Sequence, residues 1–276
     1  MAMDLYCVMG NPVEYSKSPW IHARFAQLTG EQLVYEKRLV PQGGFADAVR
    51  ELRAQGGKGC NVTVPFKFES PKLAAQLTPR ATLAQASNTL RFDGDHVTGD
   101  NTDGIGLVMD IQRNANVAID GLDVLLVGAG GAASGVLGPL IEAKPRRIVV
   151  ANRTSDKADA LVKRHAALAK ELGVKLGASE IVIDGAFDIV INATASSMSG
   201  NSVPVPACVL KPGSLAIDLM YGPAAQPFVR WAQTHGATAR DGLGMLVEQA
   251  AEAFLFWRGI RPPSAQVLAE LRAAVA

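Results

Sequence analysis

Short apolar runs that stop in glycine or polar residues alternate along this chain with longer segments whose apolar positions recur at helical spacing. The runs at 5–9, 33–40, 59–62, 124–127, 147–151, 186–191, 215–219 and 237–239 predict strands. Segments 18–30, 45–55, 68–76, 81–86, 155–173, 226–235, 243–257 and 264–275 predict helices, as do the stretch from Asp103-Gly104 to about 115 and the alanine-rich one after Gly130. Residues 89–92 and 96–99 flank Asp93-Gly94-Asp95, a hairpin signal. Strands alternating with helices predict an α/β fold with mostly parallel sheets and helices on both faces. Such sheets bind ligands beyond their strand C-termini, which directs attention to the residues just after each apolar run.

The sharpest of these junctions runs from Val124 through Val127 into Gly128-Ala129-Gly130-Gly131-Ala132-Ala133. It reads as strand, tight turn, helix. Gly128 and Gly130 permit a positive φ and close backbone approach, and small Ala133 lets the new helix lie against the strand. The open amides of Gly131 and Ala132 at the helix start suit a pyrophosphate, although a glycine turn alone also serves as a plain structural corner. The run 147–151 then ends in Asn152-Arg153-Thr154, where a βαβ unit places its adenosine-ribose contact. An acidic residue there would hold the ribose hydroxyl of NAD. This chain has Arg153 instead, with Lys157 a helical turn later. A guanidinium forks onto a 2′-phosphate that a carboxylate would repel, so the expected cofactor is NADP(H); the bland reading of Arg153 is a solvated surface arginine.

Composition narrows the class. The 276 residues suit two cores better than one, and the expected division is a substrate domain of 1–102 plus 245–276 and a Rossmann-like NADP domain of 103–244, separated by a cleft. With 48% hydrophobic residues the chain can bury a core without staples. A net charge of +1 offers no field for nucleic acid, which favours a small-molecule partner. Cys7, Cys60 and Cys208 are few and scattered, as are His22, His96, His165 and His235, so a reducing compartment is expected and a metal site is not. Without a leader-like or membrane-length apolar segment, the expectation is a cytoplasmic protein with no membrane partner.

Four polar clusters follow strand ends in the first part: Ser16-Lys17-Ser18, the run Asn61-Val62-Thr63-Val64-Pro65-Phe66-Lys67, Ser87-Asn88-Thr89, and Gly99-Asp100-Asn101-Thr102-Asp103-Gly104. Their hydroxyls, amides, amine and carboxylates suit a polyhydroxylated acid. An amine beside a carboxylate also suits proton transfer. Singly each has a structural reading: Ser18 before Pro19 and Asp103 before Gly104 as helix caps, Lys67 as a solvated lysine, Asn61 and Asn88 as turn residues, His22 as a packed ring.

Jointly the clusters resemble the shikimate dehydrogenase family of aromatic amino-acid biosynthesis, over nearly the whole chain. The resemblance extends through Gly10-Asn11-Pro12, the glycine turn, Asn152-Arg153-Thr154, Asn192-Ala193-Thr194, Asp218-Leu219-Met220-Tyr221 and Gly242-Leu243-Gly244-Met245-Leu246-Val247-Glu248-Gln249. It implies that Ser16 and Ser18 hold a substrate carboxylate with Tyr221 nearby. Thr63, Asn88, Asp103 and Gln249 would bind ring hydroxyls alongside Asn61, and Lys67 and Asp103 would form the catalytic pair. Gly242 and Met245 would flank the nicotinamide, with Thr194 along the cofactor groove. The implied reaction is reversible NADPH-dependent reduction of 3-dehydroshikimate to shikimate, by a monomer or homodimer whose domains close on the ligands. Three positions depart from the family pattern: Ala23 where asparagine is usual, Gln85 where glycine is usual, and Ser134 where a basic residue is common. The rival readings are a broader quinate/shikimate dehydrogenase, an aminoshikimate-type enzyme and a non-catalytic NADPH-binding sensor. Arg153 and the paired serines weigh against the first. Retention of both Lys67 and Asp103 weighs against the sensor.

Overall fold

The computed structural model describes residues 3–181, 183, 185–194 and 205–275. The chain divides into two compact units, one of Met1–Gly106 with Leu246–Ala276 and one of Leu107–Met245. The division falls after Gly106 rather than after Thr102. Asp103 stays with the first unit because its carboxylate is bonded to Lys67 and Asn88 of that unit.

In the first unit, strands β1 (Asp4–Gly10), β2 (Leu33–Leu39), β3 (Gly59–Val62), β4 (Gln76–Leu77), β5 (Thr89–Asp93) and β6 (His96–Asp100) form a sheet in the order β2-β1-β3-β5-β6-β4. Its helices are α1 (Ser18–Thr29), α2 (Phe45–Ala54), α3 (Pro79–Ala84), the start of α4 (Asp103–Met109), most of α8 (Leu243–Arg258) and α9 (Ser264–Val275). Strand β1 pairs parallel with β2 and β3, whereas β5 runs antiparallel to both β3 and β6. Pairing in this sheet is mostly parallel, as expected, with β5 the one reversed strand among those described. The cause is the hairpin at Asp93-Gly94-Asp95, whose tight turn reverses the chain. Alternate residues of β1 face opposite sides: Cys7 and Met9 join Phe45, Val49 and Leu52 of α2, while Tyr6 and Val8 join Tyr35 and Trp257.

The expected helix over 68–76 is replaced by two one-turn 3₁₀ segments, Phe66–Phe68 and Ser70–Leu73, followed by β4. Pro71 lacks the N–H that a continuing helix would need, so the chain restarts there and then extends at Ala74. Helix α3 is capped by Thr78, whose hydroxyl oxygen accepts from the Ala81 N–H at 3.3 Å.

The second unit holds β7 (Asp123–Val127), β8 (Arg147–Ala151), β9 (Lys175–Ser179), β10 (Phe187–Asn192), β11 (Leu210–Asp218) and β12 (Thr238–Arg240), in the order β12-β11-β10-β7-β8-β9. All adjacent strands among these are parallel. Helices α5 (Gly131–Glu142) and α6 (Ser155–Glu171) cover one face over Val124, Leu126, Ile148, Val150, Ile189 and Ile191, and α7 (Gln226–Thr234) covers Leu125, Val127 and Val190 on the other. From β7 the chain proceeds outward to β8, while β10 lies on its other side. This is the switch point where doubly wound sheets bind dinucleotides.

Candidate active site

Lys67 and Asp103 come from segments far apart in sequence, yet the Lys67 ammonium donates to Asp103 Oδ2 at 2.6 Å. The two side chains are 14% and 6% exposed, which weakens solvent screening without removing access. Asp103 begins α4 and its other carboxylate oxygen accepts from Asn88 Nδ2 at 2.8 Å. The Asn88 amide lies beside Thr102 Oγ1 at 3.0 Å and Gln249 Oε1 at 3.3 Å, and Asn88 Oδ1 accepts from the Thr102 N–H at 2.8 Å. Asn61, Asn88, Asp103 and Gln249 are all buried, and Ser18 is too. Buried polar groups in such density are retained only when they satisfy one another or a ligand.

The local sequence explains the placement. Pairing of β3 with β5 brings Asn61 opposite Thr89, and the β5–β6 pair sets Thr89 opposite Asp100, so three of the polar clusters meet at one end of three neighbouring strands. Within Gly99–Gly104, Asp100 and Asn101 are structural. The Asp100 carboxylate accepts from Arg80 Nε at 2.7 Å and from the Thr78 hydroxyl at 2.6 Å, and Asn101 Nδ2 donates to the Ala86 carbonyl at 3.0 Å. Thr63 is half-buried, its N–H donating to the Met9 carbonyl at 2.9 Å.

Ser18 does not cap α1. The preceding Lys17 holds the cap position with no side-chain bond, Ser18 lies inside the first turn, and its own N–H donates to Ser16 Oγ at 3.3 Å. The Ser18 hydroxyl thereby stays free of capping duty, while the Ser16 oxygen meets the first open N–H of the helix. His22 is fully buried and stacked on Tyr35 with ring centroids 4.3 Å apart, as the packed reading expects. Burial lowers its pKa to about 3, against a smaller opposing pull from Asn61, so the ring is neutral. Ala23, one of the departures from the family pattern, is exposed. Gln85 closes α3 at φ 51°, the left-handed region that favours glycine. Thr102 and Tyr35 are contacts that motif spacing alone does not single out. For Tyr35 the only available signal is its inward position in β2.

In the second unit, Gly128 has φ 112°, and a Cβ there would lie 3.0 Å from the Ala193 carbonyl oxygen and 3.2 Å from Thr194 Cγ2. Only glycine fits this crossing of β7 and β10. A Cβ on Gly130 would meet open space, and α5 starts at Gly131 and Ala132 with no side-chain cap, so its first amides are available to an anion. At the end of β8, Asn152 Nδ2 donates to the Thr154 carbonyl at 2.8 Å, while Arg153, Thr154 and Lys157 are exposed. The Arg153 and Lys157 side chains have no partner among the described residues. Thr194 donates to Asn192 Oδ1 at 2.7 Å, Asn192 Nδ2 donates to Asp218 Oδ2 at 3.1 Å, and Asp218 Oδ1 accepts from the Met220 N–H at 2.9 Å. These bonds tie Thr194 and Met220 to the ends of β10 and β11. The Gly242 N–H donates to the Met220 carbonyl at 2.8 Å; Met245 is buried, Tyr221 is half-buried in this unit, and Ser134 is buried within α5. The residues present fit a dinucleotide carrying an extra phosphate: an uncapped helix start, a glycine crossing and two uncommitted cations.

A doubly wound nucleotide unit and a second unit bearing a lysine–carboxylate pair define the class of nicotinamide-dependent dehydrogenases. Comparison with known proteins gives the family. Residues 8–90 match the Shikimate dehydrogenase substrate binding domain, residues 111–200 Shikimate / quinate 5-dehydrogenase, and residues 242–272 the Shikimate 5′-dehydrogenase C-terminal domain. The NADP(+)-dependent shikimate dehydrogenase of an Acidovorax species is 66% identical over 276 residues, covering 100% of this chain and 98% of the relative. Among solved structures, an Ael1 enzyme from Pseudomonas putida is 42% identical with a TM-score of 0.87, covering 97% of this chain and 98% of that one. Shikimate 5-dehydrogenase from Thermus thermophilus, crystallised with NADP(H) and shikimate, is 30% identical with a TM-score of 0.83, covering 99% and 100%. The chain belongs to the shikimate dehydrogenase family.

Proposed function

We propose that this protein catalyses the reversible NADPH-dependent reduction of 3-dehydroshikimate to shikimate, a step of aromatic amino-acid biosynthesis. The observation that carries the reading is the Lys67–Asp103 pair at 2.6 Å, set among buried amides and hydroxyls that match a polyhydroxylated ring. When bound, NADPH supplies the hydride. Lys67 holds the proton taken by the developing alkoxide, and its charge stabilises that oxygen beforehand. Asp103 fixes the ammonium and accepts from a substrate hydroxyl. Ser16 and Ser18 take the substrate carboxylate with Tyr221, while Asn61, Thr63, Asn88 and Gln249 serve the ring hydroxyls.

On the cofactor side, Gly128, Gly130, Gly131 and Ala132 hold the pyrophosphate. Asn152, Arg153, Thr154 and Lys157 hold the 2′-phosphate end, and Thr194, Gly242 and Met245 line the path to the nicotinamide. Cytoplasmic residence agrees with three free cysteines, two of them buried.

The test follows NADPH absorbance with 3-dehydroshikimate, then NADP and NAD with shikimate and with quinate. Rapid NADPH oxidation and a preference for shikimate are expected; no turnover of either member of the shikimate pair would refute the assignment. Faster oxidation of quinate would point to the broader enzyme. Arg153→Ala should shrink the NADP over NAD preference by on the order of tenfold, the loss of one charge-assisted phosphate contact; an unchanged ratio would remove Arg153 from cofactor choice.

A further inference from the structure

Tyr35 stands at the head of a buried series of hydrogen bonds that ends on the Lys67–Asp103 pair. Its hydroxyl donates to Asn61 Oδ1 at 2.6 Å. Asn61 Nδ2 donates to Thr89 Oγ1 at 3.0 Å and to the Asn88 carbonyl at 3.3 Å. The Thr89 hydroxyl donates to Asn88 Oδ1 at 3.0 Å, Asn88 Nδ2 donates to Asp103 Oδ1 at 2.8 Å, and Lys67 donates to Asp103 Oδ2. Every donor along the path points toward one carboxylate. Bonds aligned in this way polarise one another, so the last gains from the first.

The direction is forced. A backbone carbonyl only accepts, so the Asn61 group that meets the Asn88 carbonyl must be the NH₂, which leaves Oδ1 facing the phenol. Tyr35 must then donate, and its surroundings keep it able to. Burial pushes the phenol well above its ordinary range, and the flat ring against it, His22, is neutral.

We propose that Tyr35 is a positioning residue for the reaction, locking the Asn61 amide and, through Thr89 and Asn88, aiming Asp103 at Lys67 and the substrate. The inference rests on the function proposed above. Removing the phenol oxygen takes away the donor that fixes Asn61 Oδ1, which leaves the buried amide free to turn, toward His22 among its neighbours, and breaks the relay.

The experiment compares wild type with Tyr35→Phe, which keeps the ring stacked on His22. Calorimetric shikimate Kd, calorimetric NADPH Kd and steady-state kcat/KM are measured. Expected are about a tenfold rise in shikimate Kd and about a tenfold fall in kcat/KM for 3-dehydroshikimate, with NADPH Kd unchanged. In an Asn61→Ala background the same substitution should cost under about twofold, because its route is already cut. Thr89→Val, which interrupts the relay without touching the phenol, should reproduce the loss and serves if Tyr35→Phe folds poorly. Kinetics within about twofold of wild type in Tyr35→Phe, or a tenfold loss that persists in Asn61→Ala, would overturn the proposal. A wild-type protein that neither binds nor oxidises shikimate would instead refute the proposed function.

Discussion

Lys67 commits one N–H to Asp103 and has no further protein acceptor among the described residues, which leaves two donors for a ligand. The carboxylate fixes where the ammonium sits without exhausting it. Lys67→Ala should accordingly lower kcat by about 10²-fold or more while shikimate Kd changes only a few-fold, measured by steady-state turnover and calorimetry. Near-normal turnover would exclude Lys67 as the acid. Gln85 makes a separate prediction. Held at φ 51° on an exposed helix end, it carries the strain that a side chain pays in the left-handed region. Gln85→Gly should stabilise the fold by up to about 1 kcal/mol in urea unfolding, the relief being partly cancelled by glycine's greater freedom when unfolded, with kinetics unaltered. At this scale Lys67, Asn88 and Asp103 were legible, because each lies in a polar cluster beside a strand, whereas Gln249, inside α8, was placed only by the family resemblance. Tyr35 was not: alternation along β2 says which way it faces, but not that Asn61, brought there by another strand, accepts its hydrogen bond.

Helices α4 and α8 supply Asp103 and Gln249, and their approach depends on a missing side chain. A Cβ on Gly106 would lie 2.6 Å from Gln249 Cβ and 2.7 Å from its backbone nitrogen. Gly106→Ala should therefore cost about 1–3 kcal/mol and raise shikimate KM by displacing Gln249 from Asn88, measured by thermal unfolding and steady-state kinetics. Unchanged stability and KM would show that the helices can part without consequence. Most elements were readable from apolar periodicity, including the hairpin and the glycine turn. Strand β9 was not, because it is an edge strand interrupted by Gly177 and only partly buried, with Leu176 and Ala178 as its inward residues. Ser18 misled for a different reason. Serine before proline signals a helix start, but backbone geometry places the cap one residue earlier, at Lys17.

Each unit has its own core, with Cys7, Met9 and Phe45 in one and Val124, Ile148 and Ile189 in the other. Ligands that bind the folded form stabilise the part they touch. In hydrogen exchange, shikimate should slow amides of β3, β5, β6 and early α4, and NADP those of Gly128 to Ala133 and of Asn152 to Lys157. The reverse pattern would refute the division of labour. Length and alternation indicated two parts, but the allegiance of Asp103 is decided by Lys67 and Asn88, distant in sequence, and no local pattern records that.

The order of synthesis matters for a chain laid out in this way. Residues 107–245 form a continuous unit, whereas the part made first is completed only by residues from 246 onward. As the ribosome extrudes the chain, the middle can finish folding while the earlier portion waits for α8, whose Trp257 packs against Tyr6 and Tyr35. Until then that aromatic surface lacks its cover.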